Sequence, residues 1–208
     1  MLNNYDNIAR HYDFLSRLVF SKSQMKAQVN QLKYISAKNK ILIVGGGTGW
    51  ILEEIAAIYP SGLKIVYVEI SAKMIAISRK RNCGQNEVVF VNSGIEEFES
   101  DEHFDVISTP FLFDNFSEER AAGVFRLLDS FLKDKGLWLM VDFTLDEKSP
   151  AWWKRLFLKL MYTFFKMAGN VEAKNLVNMK PYFNKAAYQS VEEVLYYGGF
   201  INATVYKK

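Results

Sequence analysis

The sequence is poor in the residues that build covalent cross-links and metal sites. It has one cysteine, Cys83, and two histidines among 208 residues. A single thiol excludes an intrachain disulfide and every multi-cysteine metal site, which fits a reducing compartment. No cluster of His, Cys, Asp and Glu has the spacing of metal ligands, so we expect no metal.

Long apolar runs and blocks of one charge are also missing. The most apolar segment, residues 151–168, contains four lysines and arginines, so it falls short of the roughly 20 apolar residues that span a bilayer. The net charge of +3 is spread over 26 basic and 23 acidic residues without a basic run, so no nucleic-acid partner is expected. Residues 1–14 lack the pattern of a secretory signal. We therefore expect a cytoplasmic protein of a single domain.

The chain does contain a regular alternation of short apolar runs and helical patterns. Helical spacing covers residues 50–59, and Ser71 and Ser117 are placed to cap two further helices. The β-rich runs fall at residues 41–44, 63–70, 88–91, 104–108 and 137–141. This alternation predicts an α/β fold, a Rossmann-like, doubly wound, mostly parallel sheet with helices on both faces. Ligands bind such sheets outside the carboxyl ends of the strands.

The carboxyl-terminal pattern predicts one more helix and one more strand. Ser190 and Glu193 form a capping-box pattern, and Gly198 and Gly199 are placed to end that helix before the apolar run at 200–206. The sheet is then expected to lack its usual seventh strand. A six-stranded sheet with an exposed edge favours a homodimer, or covering of that edge by another segment.

A glycine-rich turn is the most specific signal in the chain. The first apolar run ends in Gly45-Gly46-Gly47-Thr48-Gly49, directly before the first helical pattern. Missing β-carbons let a ligand approach the backbone, and a helix amino terminus favours polar or anionic groups. Trp50 stands where the dinucleotide fingerprint requires glycine, and no Gly-Lys-Ser/Thr follows, so neither a nicotinamide site nor a phosphate loop fits.

An acidic residue follows the second strand at a matching distance. Glu69 lies twenty residues after Gly49. A carboxylate in that position accepts hydrogen bonds from both hydroxyls of a ribose. The alternative is a purely structural turn beside a solvated strand-end charge.

Taken together, these residues resemble class I S-adenosylmethionine-dependent methyltransferases. Residues 41–49 resemble the first motif of the family, and Glu69 matches its ribose-binding acid. Residues 92–98, 104–114 and 132–142 resemble the adenine loop and the fourth-strand and fifth-strand motifs. The resemblance covers most of the chain and implies S-adenosyl-L-methionine as the cofactor. The cofactor-binding residues that it implies are Gly45, Gly46, Gly47, Thr48, Gly49, Glu69, Ile70, Gly94, Ile95 and Thr109.

Two positions depart from the family pattern. Ile43 stands where the first motif usually has an acid, which leaves recognition of the amino group to backbone carbonyls of residues 44–46. Gly94 stands where the adenine loop often has aspartate. The adenine amine is therefore left to Asn92, Ser93 or a backbone carbonyl.

The ends of the chain indicate a small, apolar or aromatic acceptor. Residues 5–13 resemble the amino-terminal segment of methyltransferases that act on quinones and other small molecules. Residues 151–168 present an apolar face over more than half of a helix, which we interpret as a lid over an apolar pocket. Core burial, a dimer interface and peripheral contact with a membrane surface are the alternatives. The expected pocket residues are Tyr5, Phe111, Phe113, Trp152, Trp153 and Phe157.

These interpretations define one methyltransferase domain over residues 1–208, with in-line methyl transfer as its activity. Its parts are a helical cap (1–37), a cofactor-binding core (38–145), a helical lid (146–189) and a last helix and strand (190–208). His11 has the best unperturbed pKa for a catalytic base, and Tyr12 and Asp114 are further candidates. The rival hypothesis is a noncatalytic cofactor-binding module that recruits a partner or a membrane through residues 151–168.

Overall fold

The computed structural model describes residues 22–144 and 176–208. The helices are α1 (Ser23–Val29), α2 (Trp50–Ile58), α3 (Ala72–Ser78), α4 (Glu118–Phe131) and α5 (Lys180–Lys185), with 3-10 turns at Leu32–Tyr34, Ile95–Glu97 and Phe113–Asn115. The strands are β1 (Lys40–Val44), β2 (Ser61–Val68), β3 (Gln85–Val91), β4 (Phe104–Pro110), β5 (Leu132–Phe143), β6 (Gln189–Tyr196) and β7 (Ile201–Lys207).

The described strands form one mostly parallel sheet in the order β3-β2-β1-β4-β5-β7-β6. Strands β1 to β5 pair in parallel, whereas β7 runs antiparallel between β5 and β6. The strand order reverses between β1 and β4, which is where such sheets open a crevice for a ligand. The predicted doubly wound α/β fold is thereby confirmed.

The carboxyl-terminal prediction, by contrast, is wrong in two respects. Residues after Ser190 form β6 rather than a helix, and the described part of the sheet has seven strands rather than six. Gly198 and Gly199 end a strand, because their positive φ angles of 61° and 76° build the tight turn of the β6–β7 hairpin. At this end of the sheet the edge strand is β6, and Val191 and Leu195 on it are about half exposed, at 47% and 53%.

Helices cover both faces of the sheet, and β1 shows how its residues divide between them. Leu42 and Val44 belong to the core under α4 and α5, whereas Ile41 and Ile43 belong to the core under α2 and α3. This alternation is the period of two that a strand imposes. Ile43 is 1% exposed, so the position where the family usually has an acid is part of the core here.

The segments expected to form the cap and the lid are only partly described. Helix α1 contacts β6 and β7, and Asn30 Nδ2 donates to the hydroxyl of Tyr196 at 2.6 Å. The side chain of Phe183 on α5 is fully buried and stacks on Tyr206 with 3.8 Å between ring centroids. Within residues 180–188, Phe183 and Tyr188 are therefore part of the core. Residues 1–21 and 145–175, which hold the rest of the cap and lid, lie outside the described residues.

The described ranges contain neither a membrane-spanning helix nor a cluster of metal ligands. Within residues 22–144 and 176–208, no helix combines the length and apolarity needed to cross a bilayer. The same ranges contain no group of three His, Cys, Asp or Glu side chains that could hold a metal ion.

Candidate cofactor-binding and active site

The glycine turn follows β1 and packs on a tyrosine of β2, which also donates a hydrogen bond to it. Gly45 N donates to Val68 O at 2.9 Å, and the hydroxyl of the buried Tyr67 donates to Gly47 O at 2.9 Å. A β-carbon on Gly46 would lie 2.5 Å from the Tyr67 ring, so only glycine lets the turn rest on that ring. The turn thus has a fixed position at the amino terminus of α2.

Glu69 joins this turn to the end of β2. Its Oε2 accepts from Gly47 N at 3.0 Å, and its Oε1 accepts from Ser71 N at 2.9 Å. The residue is 5% exposed, so its carboxylate does not rotate freely in solvent. Hydrogen bonds to both oxygens fix the carboxylate plane beside the glycine turn.

The loop after β3 lies directly beside Glu69. Asn92 Nδ2 donates to Glu69 O and to Ile70 O, both at 2.9 Å, and Glu69 N donates to Val91 O at 3.1 Å. The loop continues into Gly94 and Ile95, which are both buried. A continuous hydrogen-bonded row therefore leads from the glycine turn through Glu69 to this loop.

Two carboxyl groups are buried together where β4 and β5 end. Burial, and next the charge of Asp142, raise the pKa of Asp114 well above its usual range. Burial also raises the pKa of Asp142 to about 7, although the N–H groups of Phe113, Asp114 and Phe143 donate to its carboxylate and oppose the rise. Asn115 Nδ2 donates to Asp114 Oδ1 at 2.6 Å. The pair therefore keeps one proton at neutral pH.

This pair gives a testable pH dependence of stability. A raised pKa of Asp142 contributes stability that is fully present below the unfolded value near 3.9 and is lost as pH rises through about 7. The free energy of unfolding of Asp142→Asn minus that of wild type should therefore increase by about 3 kcal/mol as pH rises from 5 to 8. Urea unfolding at several pH values measures this slope. Asp134→Asn, at an exposed site of β5, is the control, and a wild-type slope in Asp142→Asn would contradict the shared proton.

Two residues expected in the site lie in the core instead. Thr109 is fully buried, and its hydroxyl accepts from the indole Nε1 of Trp138 at 2.9 Å. Phe113 is also fully buried and packs against Phe116 and Trp138, so it does not line an open pocket. Phe113 and Trp138 belong to the core under α4.

The remaining substrate and catalytic candidates divide into two groups. Phe111 lies at the end of β4 with a positive φ of 51° and packs against Phe143, with 4.9 Å between ring centroids. Asp114 lies three residues further along and is buried beside Asp142. The other six candidates fall outside the described residues and stay predictions: Tyr5, His11, Tyr12, Trp152, Trp153 and Phe157.

Two residues that shape the site, Tyr67 and Asp142, were missed in the sequence, and Asn92 was considered only for a different role. Tyr67 looked like one more apolar residue of β2, and only the fold shows that it supports the glycine turn. Asn92 was considered for the adenine amine, but its amide nitrogen holds the Glu69 segment. Asp142 is the second-last residue of β5, and its place directly after the apolar run 137–141 was the signal available in the sequence.

Comparisons with known proteins relate this chain to methyltransferases. Residues 41–136 match the protein family described as "Methyltransferase domain". That range contains the glycine turn, Glu69, the loop after β3 and Asp114. By this match, residues 41–136 are similar to a methyltransferase domain.

Relatives of known name point to the same class. The chain is 30% identical over 114 residues to a ubiquinone/menaquinone biosynthesis C-methyltransferase of Geotalea daltonii, covering 51% of this chain and 48% of that protein. It is also 30% identical over 167 residues to the protein of that name from Geobacter sulfurreducens, covering 77% of this chain and 62% of that protein. The chain thus spans between about half and two thirds of the length of these relatives.

A solved structure supports the fold. The N-methyltransferase NodS of Bradyrhizobium japonicum, in complex with S-adenosyl-L-homocysteine, superposes with a TM-score of 0.60. The alignment covers 89% of this chain and 83% of NodS at 11% identity.

Proposed function

We propose that this chain transfers the methyl group of S-adenosylmethionine to a small, apolar or aromatic acceptor by in-line displacement. The observation that carries the proposal is the contact of Glu69 Oε2 with Gly47 N at 3.0 Å, which combines a glycine turn and a ribose-binding acid in one site. When bound, the cofactor supplies an activated methyl carbon. A bond forms from the acceptor to that carbon as the carbon–sulfur bond breaks, so positioning and exclusion of water supply much of the rate.

The residues of the chain divide between binding and proton transfer. We assign cofactor binding to the glycine turn at residues 45–49, to Glu69 and Ile70, and to Gly94 and Ile95 in the loop after β3. The amino group of the cofactor is left to backbone carbonyls of the turn, because Ile43 is buried.

The acidic pair at the ends of β4 and β5 is our candidate for the proton acceptor. A hydroxyl or carbon acid must lose a proton as it is methylated, and a buried carboxylate with a raised pKa suits that role near neutral pH. Asp114 and Asp142 take this role together in our proposal, because the charge of Asp142 raises the pKa of Asp114 and one member of the pair is ionised near neutral pH. His11 and Tyr12 stay alternative candidates.

The acceptor class follows from aromatic side chains near this end of the sheet and from the relatives. Phe111 and Phe143 form an aromatic pair beside Asp114, which suits a flat apolar ring. The two relatives are named for C-methylation in quinone biosynthesis, and a phenol or quinol ring fits the same surroundings. Cytoplasmic location, a homodimer and peripheral membrane contact stay predictions.

Methyl transfer to a panel of acceptors tests the proposal. The purified chain is incubated with S-adenosylmethionine and naphthols, quinols, phenols or aliphatic amines, and S-adenosylhomocysteine is quantified. We expect turnover with the aromatic hydroxyl compounds and none with the amines. Tight cofactor binding without turnover on any acceptor would favour the noncatalytic module.

A variant of Asp114 tests the assignment of the base. Asp114→Asn should reduce turnover by a factor of at least about 100, in the range of general-base catalysis, and leave cofactor affinity within twofold. Initial rates and calorimetric titration measure the two quantities. Asp134→Asn should leave both unchanged. Wild-type turnover in Asp114→Asn would return the role to His11 or Tyr12.

A further inference from the structure

An arginine of the loop after α3 contacts the closing end of the glycine turn. Arg81 lies three residues after α3, and its Nε donates to Thr48 O at 3.0 Å. Its Nη2 donates to Thr48 Oγ1 at 3.4 Å, and its Nη1 donates to Glu53 Oε2 at 3.2 Å. Glu53 belongs to the first turn of α2. One guanidinium group therefore joins the glycine turn to the helix that follows it.

The contact with Thr48 O determines how the turn closes. The peptide between Thr48 and Gly49 is trans, so its carbonyl and its N–H point in opposite directions. The carbonyl accepts from Arg81, and the N–H of Gly49 donates to Gly46 O at 3.4 Å, which closes the turn. That closing hydrogen bond is long, so it holds the turn only weakly by itself. Arg81 thus fixes the plane of the peptide that closes the turn.

Burial indicates that Thr48, rather than Glu53, is the significant partner of Arg81. Thr48 is 2% exposed, and the Arg81 side chain is 22% exposed. A charged donor strengthens a hydrogen bond, and its loss leaves a buried carbonyl without that partner. The Glu53 side chain is 45% exposed, and ion pairs with exposed groups contribute little. The planar guanidinium holds its donors in a fixed fork, which suits the carbonyl and the hydroxyl of one residue.

We infer that Arg81 is a positioning residue for S-adenosylmethionine, which holds the glycine turn in the shape that binds the cofactor and acts through Thr48. The inference rests on the proposed function, because that proposal assigns the cofactor to this turn. A turn that is already ordered loses less conformational entropy when its ligand binds, so the contact raises cofactor affinity. Arg81 is 33 residues from Thr48 in sequence, so only the fold brings the two together.

Two variants that remove the same ion pair test this role. Arg81→Met keeps the apolar stem of the side chain but has no donor, whereas Glu53→Gln leaves both contacts with Thr48 in place. Each variant and wild type are titrated calorimetrically with S-adenosylhomocysteine. We expect Arg81→Met to weaken binding roughly three- to tenfold, the worth of about one hydrogen bond, and Glu53→Gln to bind within about twofold of wild type. Equal losses in both variants, or wild-type affinity in Arg81→Met, would overturn the inference.

A conservative variant separates positioning from general damage to the loop. Arg81→Lys keeps the charge and places one donor near Thr48 O, so we expect it to bind more tightly than Arg81→Met and more weakly than wild type. Affinity no better than that of Arg81→Met would indicate a disturbed loop and count against the role. If Arg81→Met does not fold, as thermal melting shows, Arg81→Lys replaces it, and wild-type affinity in Arg81→Lys then overturns the inference.

Wild type itself tests the cofactor assignment on which the inference rests. No binding of S-adenosylhomocysteine by wild type would overturn that assignment, and the inference with it. Binding by wild type with unchanged affinity in Arg81→Met would overturn the positioning role alone.

Discussion

Glu69→Ala is expected to raise the dissociation constant for S-adenosylmethionine at least a hundredfold. The wild-type carboxylate offers a charged acceptor to the ribose, and hydrogen bonds to charged groups contribute about 1.5–3 kcal/mol each. Loss of about 3 kcal/mol corresponds to roughly a hundredfold weaker binding. The substitution also removes the acceptor of Gly47 N and Ser71 N, so the glycine turn loses its connection to β2. Calorimetric titration with S-adenosylmethionine and S-adenosylhomocysteine measures the effect.

Two further variants separate ribose recognition from general damage to the fold. Glu69→Gln keeps the size of the side chain but replaces one acceptor oxygen with an NH₂ group, which faces an N–H donor of Gly47 or Ser71. We expect intermediate binding from it. Glu119→Ala removes an exposed acid of α4 and should bind as wild type does. Unchanged affinity in Glu69→Ala would remove Glu69 from the site.

Local signals in the sequence predicted most of the parallel sheet and the starts of its helices. Ser71 Oγ accepts from Met74 N at 3.2 Å, and Ser117 Oγ accepts from Arg120 N at 3.4 Å, as expected of amino-terminal caps. A cap contacts groups only three residues away, so its pattern is complete in the sequence. The glycine turn and Glu69 were identifiable for a similar reason, because each directly follows a strand.

The β6 strand was misread because its structure depends on a distant partner. Ser190 and Glu193 match a helix cap locally, but β6 pairs along its length with β7, for example Glu193 with Thr204. Short segments of mixed polarity have no decisive period, so the hydrogen bonds that β7 offers determine the outcome. A hairpin also explains the paired glycines at 198 and 199, which looked equally suited to ending a helix.

The errors within the site arise from the direction in which side chains point. Thr109 is the kind of polar residue expected at a strand end, yet it faces Trp138 in the core. Phe113 begins a 3-10 turn whose geometry determines which side is buried, and sequence alone does not give that geometry. Asp142 gains its significance from Asp114, which is 28 residues away in sequence and adjacent to it only in the folded chain.

Gly49→Ala is the other substitution from which we expect a large effect. Gly49 caps α2 with φ at +75°, a conformation that costs an alanine about 1–2 kcal/mol. Its new β-carbon would also lie 2.5 Å from the β-carbon of Ser78 on α3 and 3.0 Å from the α-carbon of the same residue. Overpacking of this kind costs about 1–3 kcal/mol, so we expect a total loss of about 3 kcal/mol in the free energy of unfolding. Urea unfolding measures that loss.

A matched glycine and a second-site change make the expectation for Gly49 specific. A β-carbon on Gly123 in α4 meets no atom within 4 Å, so Gly123→Ala should be neutral or stabilising by up to about 1 kcal/mol. Adding Ser78→Gly to Gly49→Ala removes the clash with the Ser78 side chain but leaves the close approach to its backbone and the positive φ, so stability should return only in part. Because the same turn carries the cofactor, S-adenosylhomocysteine should stabilise Gly49→Ala less than it stabilises wild type. If Gly49→Ala were as stable as Gly123→Ala, then neither the positive φ nor the contact with Ser78 would lower the free energy of unfolding, and the expectation would be wrong.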